Sequence, residues 1–322
     1  METALRLRAT RGRFRFHYNA PPVKRLLLIL LLSLTAAPAF SWGQAGHLMA
    51  NEAATIGLPT DMPHFFYLQF PQLTWLGPDP DRWRGGGAAI DAANAPDHVM
   101  NYEYIAALKL PRDRYSFLAL LTTSGTLRRY GIRNTDPGFL PWRIAEMCEQ
   151  LTVEWRLWRS SAPGSPDRLF IERDIVRDSG VLGHFVADAS NPLHDTISYN
   201  GWIAPNPNGY ANDCQIHARF ESDFVSHALV TGDIVPKMTA PQLRADYFDA
   251  AITFVRQSNA LVEEVYRVDK AGGFDLFRNP PSPEGKTFTA ERLAAGASLL
   301  RDLWWSAWRN SANPPRRRDA GD

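Results

Sequence analysis

The densest chemistry in this chain lies in the run Gly183-His184-Phe185-Val186-Ala187-Asp188-Ala189-Ser190-Asn191-Pro192-Leu193-His194. On a helix, His184 and Asp188 stand four residues apart on one face, where an imidazole and a carboxylate converge on one metal ion. Pro192 favours an end to that helix, which lets His194 point elsewhere, toward a different ion. The same spacing recurs in His217-Ala218-Arg219-Phe220-Glu221. One such pair alone is more often a surface ion pair, so the metal reading rests on repetition. His98 follows the Pro96-Asp97 turn. Upstream, Asp79-Pro80-Asp81-Arg82-Trp83-Arg84 holds two overlapping Asp-x2-Arg frames, of which Asp81 with Arg84 is preferred over Asp79 with Arg82. Taken singly, Asp81 reads as a turn residue, Arg84 as a solvated cation and His98 as a satisfied core histidine.

The N-terminal segment bears on the site. Lys24 and Arg25 precede an apolar run from Leu26 to Leu34, followed by Ala37-Pro38-Ala39-Phe40-Ser41. A run this short, with small residues at positions −3 and −1 of a cut before Trp42, has the pattern of a secretory signal. Residues 1–41 are therefore set apart as a signal peptide with a basic leader, and the mature chain is expected to begin Trp42-Gly43-Gln44-Ala45-Gly46-His47, in a secreted or periplasmic setting. Export permits a disulfide between Cys148 and Cys214, the two cysteines of the chain; zinc ligation by Cys214 is the alternative.

With this start, the order of residues resembles the zinc-dependent phospholipase C and S1/P1 nuclease superfamily over roughly Trp42 to Phe224. The resemblance is carried by Trp42, His47, Asp81 with Arg84, His98, His184, Asp188, His194, His217 and Glu221, with the His-x3-Asp-x5-His and His-x3-Glu spacings intact. It implies an all-α fold, a single multi-helix domain with long loops around a cluster of three Zn2+ ions. By that analogy the free amine and carbonyl of Trp42, His47 and a shared Asp188 hold one ion; Asp81, His98, His184 and Asp188 surround a second; His194, His217 and Glu221 hold the third. Asp81 and Arg84 are then the residues nearest the reaction, Arg84 as a phosphate clamp, since its planar fork matches phosphate oxygens. The implied activity is hydrolysis of phosphate esters. The Trp-Gly opening and Arg84 lean toward a nuclease acting on single-stranded nucleic acid or nucleotides, while Glu221 resembles the phospholipase C branch, which cleaves phospholipid head groups at a membrane surface. A non-catalytic zinc-binding protein is the reading from a different class. The base or head-group preference, the oligomeric state and any protein partner are not legible.

The elements that must position these residues read as helices. Apolar residues recur every three or four positions from Pro141 to Arg159, from Pro241 to Val268, and from a start near Thr289, a candidate N-cap, to Trp308. Asp174 to Ala189 would form the helix of the first pair. Their tryptophans read as core. Long stretches rich in Pro, Gly and Asn lie between, at Leu76–Ala95, Asp195–Asp213 and Gly272–Lys286, as candidate loops around a site. Tyr199, Trp202 and Tyr210 fall in the second, and His64 and His227 are left as surface or packed histidines. With 322 residues, 45% hydrophobic and 21% charged, the chain can bury one large core, taken as a domain over 42–312 with a basic flexible tail over 313–322. A net charge of +1 excludes a strong overall field for polyanions, so a phosphate substrate must be held by local charge or metal. No phosphate-binding loop and no Gly-x-Ser-x-Gly elbow is present.

Overall fold

The helix carrying His184 and Asp188 runs through the middle of the molecule, and the sequence shows why it can. Its capping residue Ser165 accepts a hydrogen bond from the Arg168 amide, and Pro166 occupies the first turn, where no amide donor is needed. From Gly180 to Asp188 every residue is buried, and two glycines admit neighbours that a side chain would exclude. A Cβ at Gly180 would stand 2.4 Å from Leu76 Cβ, and one at Gly183 would stand 1.9 Å from Asn51 Oδ1. Asn51 uses this access to donate to the carbonyls of Leu73 and Gly180, binding three helices together.

The computed structural model describes residues 42–314, and among these the structure is helical with no strand. Among its helices are α1 (Gly43–Ile56), α2 (Phe70–Leu76), α3 (Leu140–Ser160), α4 (Pro166–Asp188), α5 (Tyr247–Asn259), α6 (Val262–Lys270) and α7 (Pro283–Asn310). They build one domain in which α4 packs against α1, α2, α3 and α7. The signal reading of 1–41 and the basic cluster Arg316-Arg317-Arg318 lie outside the described residues. No helix among the described residues is long and apolar enough to cross a membrane.

The core follows the helical period. On α3, Ile144, Met147, Cys148, Leu151 and Trp155 are buried, and Trp155 meets Phe66, Trp158 and Trp308 at ring separations of 5.2–5.9 Å. Trp304 of α7 is buried and donates to the carbonyl of Ser179. Each such aromatic contributes roughly 1.5–3 kcal/mol of burial. The tryptophan rims of α3 and α7 are covered by cations, with Arg159 3.3 Å over Trp308 and Arg168 3.7 Å over Trp158.

Several boundaries differ from the sequence reading. The stretch 241–268 is two helices, because Ala260 and Leu261 turn the chain, and the buried Ser258 that interrupts the apolar stripe donates to Ala189 O at 2.6 Å. Residues 241–245 are not helical; they are held against α7 by Gln242 N to Asp302 and Arg244 N to Ser306. Helix α7 starts at Pro283 under a Ser282 cap, and Thr289 is an interior residue whose hydroxyl donates back to Gly285 O. Within 76–95, two short helices form at Asp79–Arg82 and Ala88–Asn94, while 195–213 is irregular as expected. Cys148 is buried, Cys214 is exposed, and the two are not bridged.

Candidate metal centre

The residues of the expected set are brought together from several separate pieces of backbone. His47 lies on α1, and His184 and Asp188 project from the buried end of α4. His98 closes a 3-10 turn, Ala95–His98, and His194 closes another, Pro192–His194, started by Asn191 accepting from the Leu193 amide. Glu221 sits in a π-helical stretch, Arg219–Phe224, which continues the single turn bearing His217. Such π windings occur mostly at functional positions. The two 3-10 turns are tied together, since Met100 N donates to His194 O and His194 Nδ1 lies 2.8 Å from His98 O.

All of these side chains converge. Asp188 is fully buried, with His98 Nδ1 at 2.9 Å, His184 Nε2 at 3.4 Å, His47 Nε2 at 3.5 Å and His194 Nδ1 at 3.8 Å from its carboxylate oxygens. Beside it, His217 Nε2 and His194 Nε2 lie 3.1 and 3.3 Å from Glu221 Oε2. Three groups have ligand atoms within 4.8 Å of one another: His47, Asp81 and His184; His98, His184 and Asp188; His194, His217 and Glu221. The third reproduces the set implied by the resemblance, and the second lies within its four-residue set. In the first, His47 has Asp81 and His184 as neighbours in addition to Asp188, its ring stacking on His184 at 3.8 Å.

The overlapping Asp-x2-Arg frames separate in space. Asp79 turns outward to Arg82, 2.7 Å away, and Arg82 lies over Trp75. Asp81 is 5% exposed, 3.8 Å from His184 and 2.8 Å from Arg84, whose side chain remains 35% exposed. Arg84 thus joins the buried cluster to the surface. Trp42 is buried with its indole donating to Ala187 O at 2.7 Å, one residue from Asp188. His64 and His227 are exposed and outside the cluster. Tyr199 is exposed with its ring edge-on to His217, whereas Trp202 and Tyr210 pack on each other and on Tyr266.

At His98, His184 and His194 the surroundings favour neutral imidazole. Burial pushes His98 and His184 well below the usual histidine range, helped by neighbouring cationic groups, and burial also lowers His194. Burial would lower His217 as well, but Glu221 at 3.1 Å outweighs it and raises this histidine. Burial raises Asp81 to about 7 against the pull of Arg84, and raises Asp188 well above the carboxylate range, with Asp81 adding repulsion. For Glu221 burial is outweighed by His217 and His194, which hold it low. His184 directs Nδ1 to Gly77 O at 2.9 Å and His217 directs Nδ1 to Tyr199 O at 3.1 Å, so their Nε2 atoms face the carboxylates. A carbonyl holding one ring nitrogen while the other faces inward is the usual support of a metal ligand.

The donor set fits a divalent cation. Asp188 Oδ1 and Glu221 Oε1 are buried and accept no hydrogen bond, an arrangement that costs free energy unless a cation completes it. Neutral imidazoles with carboxylates suit zinc and other first-row transition metals. Surface grooves of about 450 and 460 Å³ lie elsewhere, lined by residues of α5 and α7 and of α2 and α4, and contain no cluster residue. Convergence of ligands, not depth of a groove, therefore marks the site.

The sequence reading missed Asn191, which was seen only as part of a helix end. Its Nδ2 donates to Glu221 Oε2 at 3.1 Å, and no spacing rule foretells a contact across 30 residues of irregular chain. It also missed the carbonyls of Gly77, His98 and Tyr199, since backbone acceptors leave no trace in residue type. No protein-family model, no curated protein and no solved structure matches this chain.

Proposed function

We propose that this chain is an exported zinc-dependent hydrolase of phosphate esters, of the nuclease type, acting on single-stranded nucleic acid or nucleotides. The observation that carries the reading is Asp188, a fully buried carboxylate faced by four imidazoles within 3.8 Å, with the Glu221 group beside it. So many histidines and acids in one dry place have little value to a core, because each must be desolvated. Zinc would be held by His47, Asp81 and His184, by His98 and Asp188, and by His194, His217 and Glu221, with the terminal amine and carbonyl of Trp42 added in the cleaved form. Bound there, it supplies positive charge against phosphate oxygens and acidifies water for attack.

The chain's own residues account for the rest. Arg84 is anchored to Asp81 yet partly exposed, so its guanidinium is placed to grip a phosphate arriving from solvent. His184 and His217 each face a backbone carbonyl with Nδ1, and because a carbonyl only accepts, the proton belongs on Nδ1 and the inward Nε2 keeps its lone pair. Tyr199 stands exposed at the edge of His217, forming a rim to the site.

The test is hydrolysis of single-stranded DNA, RNA, nucleoside monophosphates and phosphatidylcholine by protein beginning at Trp42, after chelation and again after zinc is returned. Zinc-dependent cleavage of the nucleic acids or release of phosphate from the nucleotides is expected. Cleavage of phosphatidylcholine alone would replace the nuclease reading by the phospholipase one. Retained zinc with no hydrolysis of any substrate would leave a zinc-binding protein.

A further inference from the structure

Asn191 holds four separate connections at the cluster, and together they reach three of its ligands. Its amide donates to Asp188 O at 2.9 Å, and its carbonyl accepts from the His194 amide at 2.9 Å. Its side-chain oxygen accepts from Leu193 N at 3.0 Å, which starts the turn bearing His194. The side-chain nitrogen donates to Glu221 Oε2 at 3.1 Å. Asn191 is fully buried, so no water competes for these bonds.

The oxygen it grips matters. Glu221 Oε2 is the atom that faces both His194 Nε2 and His217 Nε2, while Oε1 accepts no hydrogen bond. A carboxylate with one oxygen tethered has its rotation fixed, and with it the direction of the lone pairs offered to an ion between the two histidines. Glu221 comes from a π-helical stretch, whereas His194 comes from the turn beyond α4, so no shared element aligns them. Beside the His194–Glu221 pair itself, Asn191 supplies a direct side-chain hydrogen bond between the two segments.

We infer that Asn191 is a positioning residue for the ion held by His194, His217 and Glu221: it orients the Glu221 carboxylate through Nδ2 while Oδ1 sets the His194 turn. The inference rests on the zinc reading above. Its two halves are separable, because Asn191→Asp keeps the shape and the oxygen that accepts from Leu193 N, and puts a carboxylate oxygen, which repels Glu221, where the donor stood. Asn191→Ser also keeps a local acceptor, loses the Nδ2 donor to Glu221, and adds no carboxylate that could repel Glu221 or itself bind an ion.

The experiment measures zinc per chain and the affinity of each ion in wild type, Asn191→Asp and Asn191→Ser, with cobalt substituted for zinc to give a visible absorption signature. Melting of the metal-free proteins serves as a folding control. Expected is loss of about 10–100-fold in affinity for one ion, as for other residues that orient ligands, with a changed cobalt spectrum and the remaining ions retained. A role confined to capping the turn would leave Asn191→Ser unaltered in both readouts. Affinities within about twofold of wild type in both variants would overturn the inference while leaving the zinc reading intact. A wild-type protein that binds no zinc would instead overturn the zinc reading, and this inference with it. If Asn191→Ser does not fold, Asn191→Thr, which likewise keeps an acceptor oxygen, lacks Nδ2 and adds no charge, takes its place.

Discussion

Asp188 has the largest predicted effect of any single side chain, because four imidazoles face it and no other residue can take its place between them. Asp188→Asn should lower zinc content and abolish hydrolysis together. Full zinc with near-normal turnover in that variant would return His184 and Asp188 to an ordinary helical ion pair. Arg84→Ala provides the contrast. Its guanidinium pairs with Asp81 but is not among the clustered ligand atoms, so zinc should remain while hydrolysis slows by about 10²–10³, the scale for losing a donor to a reacting oxyanion. Zinc loss in that variant, or unimpaired turnover, would remove the clamp role. Asp81→Asn should cost zinc and Asp79→Asn should not, since Asp79 is satisfied by Arg82 at the surface; elemental analysis of the pair decides between the two frames.

At the scale of elements, α4 is the part least tolerant of change. Gly183→Ala would drive a methyl into Asn51, and overpacking of this kind costs roughly 1–3 kcal/mol. Chemical denaturation should show that loss, and because His184 is the next residue, zinc content should fall with it. The contact between α3 and α4 also carries a titration. Glu154 of α3 and Asp178 of α4 share Gln150 as a partner, and burial, followed by hydrogen bonding to Asp178 and then repulsion from it, raises Glu154 to about 8 from its ordinary 4.5. The folded chain therefore keeps a proton that the unfolded chain releases in this interval. Stability from this group is fully present below about 4.5 and is lost as pH rises through about 8. Unfolding curves measured across that range in the metal-free protein should fall with pH more steeply in wild type than in Glu154→Gln. Equal slopes would mean that Glu154 is ionised in the folded state.

For the whole molecule, a metal ion bound at the proposed centre would act as a staple as well as a site. Its ligands come from α1, α4, both 3-10 turns, the short Asp79–Arg82 helix and the π-helical stretch, so an ion bound there joins segments far apart in the chain. Chelation should lower the melting temperature, and returning zinc should restore it in a concentration-dependent way, as binding only to the folded state requires. About three ions per chain are expected on full loading from the family resemblance, and a single tightly held ion would refute the cluster. Material recovered from the exporting cell should begin at Trp42 by N-terminal sequencing, and another start would remove the terminal amine from the ligand set.

The chain's helical class, its core tryptophans and the candidate ligands were legible in order along the sequence. Period and spacing are local properties: a buried face must repeat every three or four residues, and His184 with Asp188 must share a side of any helix that contains both. Boundaries such as the break at Ala260 and the start of α7 at Pro283 were misread, because Ser258 and Thr289 look alike in type but gain their roles from tertiary partners and backbone acceptors. Only the tertiary structure separated Asp81 from Asp79, since both frames have the same residue types and just one turns inward toward His184. It alone revealed Asn191 and the carbonyls behind the histidines. Such contacts join segments whose relative positions are set by the packing of α1, α3 and α7 around α4, and no short stretch of sequence contains that packing.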